Sequence, residues 1–166
     1  MGNLSTPPTD SITASTKGPL CVDLDGTLVA TDTMGEGFLR LLKTAPWKLF
    51  ALLAALMTGR PKFKRYLART SPVDPGTLPY RDEVLDEIRQ ARQDGRRVLL
   101  VSASDQATAD LVAGHLGLFD EAIGSDGESN LKASRKADFL VSRFGTGGFQ
   151  YIGDSPADLP IWTAAN

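Results

Sequence analysis

The order of apolar and polar positions divides this chain into unlike stretches. Residues 1–18 carry Ser, Thr and Pro with few large apolar groups. They lack the burial that would offset their ordering entropy, so a disordered tail is expected there. Pro19-Leu20-Cys21-Val22-Asp23-Leu24 is a short apolar run leading into acid and glycine, and it reads as a buried parallel strand. From about Thr33 to Leu78 the pattern is helical, punctuated by Pro46, Gly59-Arg60-Pro61 and Ser71-Pro72. After it helix and strand alternate. Val84, Leu85, Ile88 and Ala91 make one helical face ending near Asp94-Gly95, and Val98-Leu99-Leu100-Val101 is a continuous apolar strand. Leu111, Val112 and Leu116 mark a helix, and Glu121-Ala122-Ile123-Gly124 a weak strand. Phe139, Leu140 and Phe144 mark another helix, and Phe149-Gln150-Tyr151-Ile152 a further strand. No internal repeat is visible. The alternation predicts an α/β fold, a parallel sheet covered on both faces.

In such sheets the chemistry lies just beyond the carboxyl ends of the strands. Three predicted strands lead, in order, to Asp23, Ser102 and Asp154. Asp23-Leu24-Asp25-Gly26-Thr27-Leu28 places two acids at alternate positions before a glycine that permits a tight turn. Val101-Ser102 offers a hydroxyl, and Lys132 or Lys136 a cation at the start of a helix. Gly153-Asp154-Ser155-Pro156-Ala157-Asp158 adds two more acids at a strand-to-helix turn. Taken singly, each has a structural explanation: an Asp-x-Asp is usually a solvated turn and an acid at a helix start usually a cap. Their order along one α/β chain is what points to a shared site.

Together these four motifs resemble the haloacid dehalogenase-like (HAD) superfamily, from about Leu20 to the end of the chain. The resemblance implies a Rossmann-like three-layer core, over 19–32 and 79–166, truncated at its C-terminus, with a small helical cap over 33–78 inserted after the first strand. It implies a Mg²⁺-dependent phosphatase that works through an aspartyl-phosphate at Asp23. Asp25 would protonate the leaving oxygen and later deprotonate water; its acid side chain favours phosphate over halide chemistry. Asp23, Asp154, the backbone carbonyl of Asp25 and, through water, Asp158 would hold the ion. Oxygen ligands beside a phosphate suit Mg²⁺. Ser102 and one lysine would hold the phosphoryl oxygens. Lys136 is favoured because Phe139, Leu140 and Phe144 follow it on one helical face; Lys132 fits the family spacing to the last motif better.

Asp25-Gly-Thr-Leu-Val-Ala-Thr-Asp32, Gly117-Leu-Phe-Asp120, Asn130-Leu-Lys132 and Gly153-Asp-Ser-Pro-Ala-Asp-Leu-Pro160 further resemble the HAD domain fused ahead of UbiA-type polyprenyltransferases. That resemblance implies a C-terminal membrane domain beyond this chain. The rival functions are a phosphotransferase or mutase on the same site, and a non-catalytic HAD-like module of a membrane prenyltransferase.

Composition narrows the partners. A net charge of −2 argues against a nucleic-acid binder. The single cysteine, Cys21, permits no intrachain disulfide and reads as a buried thiol in a reducing compartment. His115 lies in an ordinary helical segment and reads as structural. The start Met1-Gly2-Asn3-Leu4-Ser5-Thr6 matches a loose myristoylation pattern, and no signal peptide is evident. A cytoplasmic protein is expected, or one at the cytoplasmic face of a membrane. Between Gly37 and Val73 there are eight basic residues and no acid, among them Trp47, Phe50 and Phe63. This insert could pack on itself with its charges solvated, or meet a lipid surface or a lipid-linked phosphomonoester. A small-molecule phosphomonoester is the other substrate expected.

Overall fold

The computed structural model of the chain describes residues 17–57, 59–125, 131 and 134–166, the side chains of 60–62 excepted. The tail expected over 1–18 therefore lies outside the described residues, save Lys17 and Gly18, as do the myristoylation pattern and Lys132.

Four strands form one sheet in the order β3-β2-β1-β4. β1 (Leu20–Val22) pairs in parallel with β2 (Val98–Asp105) and with β4 (Gln150–Ile152), and β2 pairs in parallel with β3 (Glu121–Ser125). The apolar runs are continuous because both faces of the sheet are covered. Successive side chains point to opposite faces, which sorts neighbours into two cores. Leu20, Val22, Val98 and Leu100 pack with Val84, Leu85, Ile88 and Ala91 of α4 (Asp82–Gln93) and with Ala109 and Val112 of α5 (Gln106–Leu116). Cys21, Leu99, Val101 and Tyr151 pack on the other face with Ala137 and Leu140 of α6 (Ser134–Phe144) and Ile161 of α7 (Leu159–Ala164). This is the expected α/β arrangement of three layers.

One strand differs from expectation. β2 runs on to Asp105 instead of stopping at Val101, and its register with β3 is irregular between Val101 and Asp105. Ser102 thus lies inside the strand, at the interruption. Its Oγ accepts the Ser104 N–H at 3.0 Å, which satisfies a backbone donor that the broken ladder leaves over.

Between β1 and α4 the chain makes α1 (Thr33–Thr44), a 3₁₀ turn at Pro46–Lys48, α2 (Leu49–Met57) and α3 (Arg60–Thr70). The Asp32 side chain caps α1 by accepting the Met34 N–H at 2.9 Å, the expected work of an acid at that position. The insert has a small core of its own: Leu41, Ala45, Leu52 and Leu67, with Leu49, Phe63 and Tyr66 half-buried around it. An antiparallel bridge between Val29 and Tyr80 closes its base. His115 stacks on Tyr80, the rings 6.3 Å apart, in keeping with a structural role. No helix among the described residues is long and apolar enough to cross a membrane.

Candidate active site

The residues that follow β1 and β4 meet at one edge of the sheet. Asp23 is the first residue past β1, and its N–H bonds the Ile152 carbonyl at the end of β4 at 3.0 Å. Asp154 lies two residues past β4, and Asp158 ends the 3₁₀ turn Pro156–Asp158. One carboxylate oxygen from each of Asp23, Asp154 and Asp158 lies within 4.8 Å of the others. Two glycines make this approach feasible. Gly26 has φ +79°, and a Cβ there would stand 2.4 Å from Asp154 Oδ2. A Cβ on Gly153 would stand 2.5 Å from Asp158 Oδ2. Thr27 Oγ1 donates to Asp154 Oδ1 at 3.2 Å and steadies the most exposed of the three acids.

A single lysine serves this cluster among the described residues. Lys136, on the first turn of α6, is buried, and its Nζ lies 2.9 Å from Asp23 Oδ1. The same ammonium donates to Tyr151 Oη at 2.9 Å, and Tyr151 Oη donates to Asp158 Oδ1 at 3.1 Å. Tyr151 was not among the candidates read from the sequence. Its signal was a phenol inside an apolar strand run, since a buried Tyr hydroxyl needs a partner. Burial raises the Asp23 carboxyl above the usual range, against the pull of Lys136. Burial and the nearby Asp23 and Asp158 carboxylates raise the Tyr151 phenol, which stays protonated and able to donate.

Asp25 is held separately. Its Oδ1 accepts from the Thr33 N–H and the Thr33 hydroxyl, each at 2.7 Å, and its Oδ2 accepts from the Ser104 hydroxyl. Thr33 Oγ1 and Ser104 Oγ are 3.1 Å apart. The N-terminus of α1 and the far end of β2 therefore aim this carboxylate, through two residues the sequence reading did not single out. Asp25 is outside the three-acid cluster.

Ser102 is fully buried and its oxygen takes up the Ser104 N–H. The cleft itself, of about 170 Å³, is lined by Asp23, Asp25, Ala103, Leu131, Lys136, Ser155, Ala157 and Asp158. Ser102 is not among these lining residues, though its neighbour Ala103 is, and its hydroxyl accepts from the Ser104 N–H. A second cavity, of about 80 Å³, runs under the helical insert. It shares Asp25 and Ala103 with the cleft and is also lined by Thr33, Lys64, Ser71 and Ser104. Lys64 reaches across from α3 to the Ala103 carbonyl at 2.9 Å. Ser71 Oγ is buried there with no hydrogen-bond partner among the described residues.

The donor set fits a hard divalent cation. Three carboxylates face one ammonium, which leaves net negative charge, and every donor is oxygen. The two glycine approaches further keep the acids close despite their repulsion.

The family model for haloacid dehalogenase-like hydrolases matches residues 20–162. An uncharacterized protein, y4nM, of Sinorhizobium fredii is 47% identical over 150 residues, covering 90% of this chain and 29% of its own length. The chain thus spans less than a third of that curated relative. Among solved structures, a HAD family hydrolase from Salmonella enterica aligns with a TM-score of 0.62 at 16% identity, over 89% of this chain and 60% of its own. A substrate-bound phosphoserine phosphatase aligns with a TM-score of 0.61 at 16% identity, over 92% and 84% of the two chains. A phosphoserine phosphatase solved as a phospho-aspartyl intermediate analogue aligns with a TM-score of 0.58 at 16% identity, over 90% and 83%. At such identity these structures share the fold.

Proposed function

We propose that this chain, which belongs to the haloacid dehalogenase-like hydrolase family, is a Mg²⁺-dependent phosphomonoester hydrolase with Asp23 as its nucleophile. The observation that carries the reading is the meeting of Asp23, Asp154 and Asp158 within 4.8 Å beside Lys136. Asp23, Asp154, Asp158 and the Asp25 backbone carbonyl would hold the ion. When bound, it supplies the positive charge that lets a carboxylate approach a phosphate dianion.

The residues divide the work. An Asp23 carboxylate oxygen attacks phosphorus in line, and the bond from phosphorus to the leaving oxygen breaks. Asp25 gives that oxygen its proton, then takes one from the water that attacks the aspartyl-phosphate and frees Asp23. Thr33 and Ser104 suit both states of Asp25, since the Ser104 hydroxyl donates to a carboxylate and accepts from a carboxylic acid. Lys136 turns its ammonium from Asp23 toward the phosphoryl oxygens, with Tyr151 holding its position. Ser102 contributes by fixing the Ser104 backbone.

Asp25 lines both the cleft and the cavity under the insert. With phosphorus over Asp23, the leaving group extends past Asp25 into that cavity, which makes residues 33–78 a cap that selects substrate. Its small volume suits the leaving group of a small phosphomonoester, to which Ser71 and Lys64 offer hydrogen bonds. The test is a phosphatase screen with and without Mg²⁺, followed by borohydride trapping of the aspartyl-phosphate. Absence of Mg²⁺-dependent turnover and of any trapped adduct at Asp23 rejects the reading. Turnover that rises with added alcohols would identify a phosphotransferase on the same site.

We further propose that this chain is a domain of a longer enzyme, of the kind fused to a UbiA-type prenyltransferase, on the cytoplasmic side of the membrane. It is supported by the motif resemblance and by a 47%-identical relative of which the chain spans 29%. Sequencing the whole reading frame tests it; a continuation without a multi-helix apolar region would reject it.

A further inference from the structure

α2 reads Leu-Phe-Ala-Leu-Leu-Ala-Ala-Leu-Met, without one polar side chain. A helix apolar on every side is ordinarily covered on every side. Here only Leu52 is buried. Phe50 is 81% exposed and Met57 88%, with Leu53 and Leu56 also in solvent and Trp47, on the turn before them, 67% exposed. The insert's own core is complete without these side chains, since it is built from Leu41, Ala45, Leu52 and Leu67. Internal packing therefore does not account for them. None of them lines the active-site cleft or the cavity beneath the insert.

Charge says what covers this face. The insert from Gly37 to Val73 carries eight basic residues and no acidic one. Exposed Arg40 and Lys43 on α1, half-buried Lys48 at the end of the 3₁₀ turn before α2 and exposed Arg69 on α3 belong to it. The whole insert, residues 33–78, adds only Glu36 and Asp74 to these eight basic residues, so a second copy of the same face would bring two net-positive units together. An anionic surface has the opposite effect. Nine helical residues span about 13 Å, too short to cross a bilayer but sufficient to lie in its interface. An exposed Trp beside apolar side chains, on a helical unit whose basic residues far outnumber its acids, is the chemistry of such an interfacial helix.

We propose that the exposed face of α2, together with Trp47, docks the protein on anionic lipid. Apolar burial and headgroup attraction act together; the attraction falls off within a Debye length of about 8 Å at physiological salt. The contact is weak and reversible on its own, as a single membrane signal is. It lies apart from the catalytic acids, so it stands whether or not the phosphatase reading holds.

The experiment is co-sedimentation of the protein with vesicles of phosphatidylcholine alone and of an equal mixture with phosphatidylglycerol, at low and physiological salt. Binding to the anionic vesicles should exceed binding to the neutral ones by about tenfold at low salt and weaken as salt rises. Phe50→Asp with Met57→Asp should lower it about tenfold, and Lys43→Ser with Lys48→Ser should lower it on anionic vesicles only. Circular dichroism shows whether these surface variants stay folded. Single variants Phe50→Ser and Met57→Ser provide the same reading if a double variant does not fold. Binding indifferent to lipid charge, or absent at low salt, overturns the proposal. So does self-association, seen in analytical ultracentrifugation without lipid, that Phe50→Asp abolishes, or capture of an acidic protein surface by a chain that ignores vesicles.

Discussion

The ammonium of Lys136 stands 2.9 Å from Asp23 Oδ1, across 113 residues of sequence. The two are 3% and 13% exposed, so little water screens them. Lys136→Met should lower phosphatase kcat/KM by about a hundred- to a thousandfold, the usual loss on removing one donor to a developing oxyanion. Lys132→Met should leave turnover within a fewfold of wild type. Steady-state kinetics of the two variants side by side check the assignment, and the reverse ranking would move the role to Lys132.

Asp23→Asn and Asp25→Asn should fail differently. The first should abolish turnover with every substrate, because an amide is a poor nucleophile and the cluster loses a charge. The second should cost roughly a hundred- to ten-thousandfold with a poor leaving group, and much less with nitrophenyl phosphate, whose leaving oxygen needs little protonation. Single-turnover phosphorylation of Asp23 separates the two steps. Equal damage with both leaving groups would remove Asp25 from the role of acid.

Tyr151→Phe deletes the hydroxyl that joins Lys136 to Asp158. It leaves two buried charged groups each short of a partner, a loss of about 1–3 kcal/mol. The expected result is a lower Tm together with weaker Mg²⁺ activation, read by calorimetry and by Mg²⁺ titration of activity. Unchanged Mg²⁺ activation would confine Tyr151 to packing.

Gly26→Ala would set a Cβ 2.4 Å from Asp154 Oδ2 at a φ of +79°. Asp154 must swing away or the turn must shift, and in either case the three acids separate. Loss of Mg²⁺-dependent activity with the fold retained is expected, seen as near-native circular dichroism beside a flat Mg²⁺ titration.

Burial in the sheet pushes the Cys21 thiol up to about 12, from an ordinary value of 9.0. The folded chain therefore holds this proton between those values while the unfolded chain releases it, so this group's contribution to stability falls as pH rises above about 9. At pH 8 the native thiol should resist iodoacetamide and react only in denaturant; mass spectrometry of both samples checks this.

The local pattern alone determined the alternating helix and strand, the placing of Asp23 and Asp154 past two parallel strands, and the helical character of residues 33–78. These depend on runs and periods within a few residues, and on the rule that parallel strands put their carboxyl ends at one edge. Tertiary structure decided which long-range partners the acids keep. Lys136 meets Asp23 because α6 packs Ala137 and Leu140 on the sheet face that also carries Tyr151; the apolar face after Lys136 marks the helix, but not the partner of its ammonium. The irregular end of β2 brings Ser104 to Asp25 and turns Ser102 inward, and an apolar run does not reveal where its ladder breaks. α2 makes the same point from the surface. Its sequence is apolar all round, and only packing shows that Leu52 faces inward while Phe50 and Met57 face solvent. Burial is a property of what lies opposite a side chain, and for these residues what lies opposite is set by parts of the chain far away in sequence.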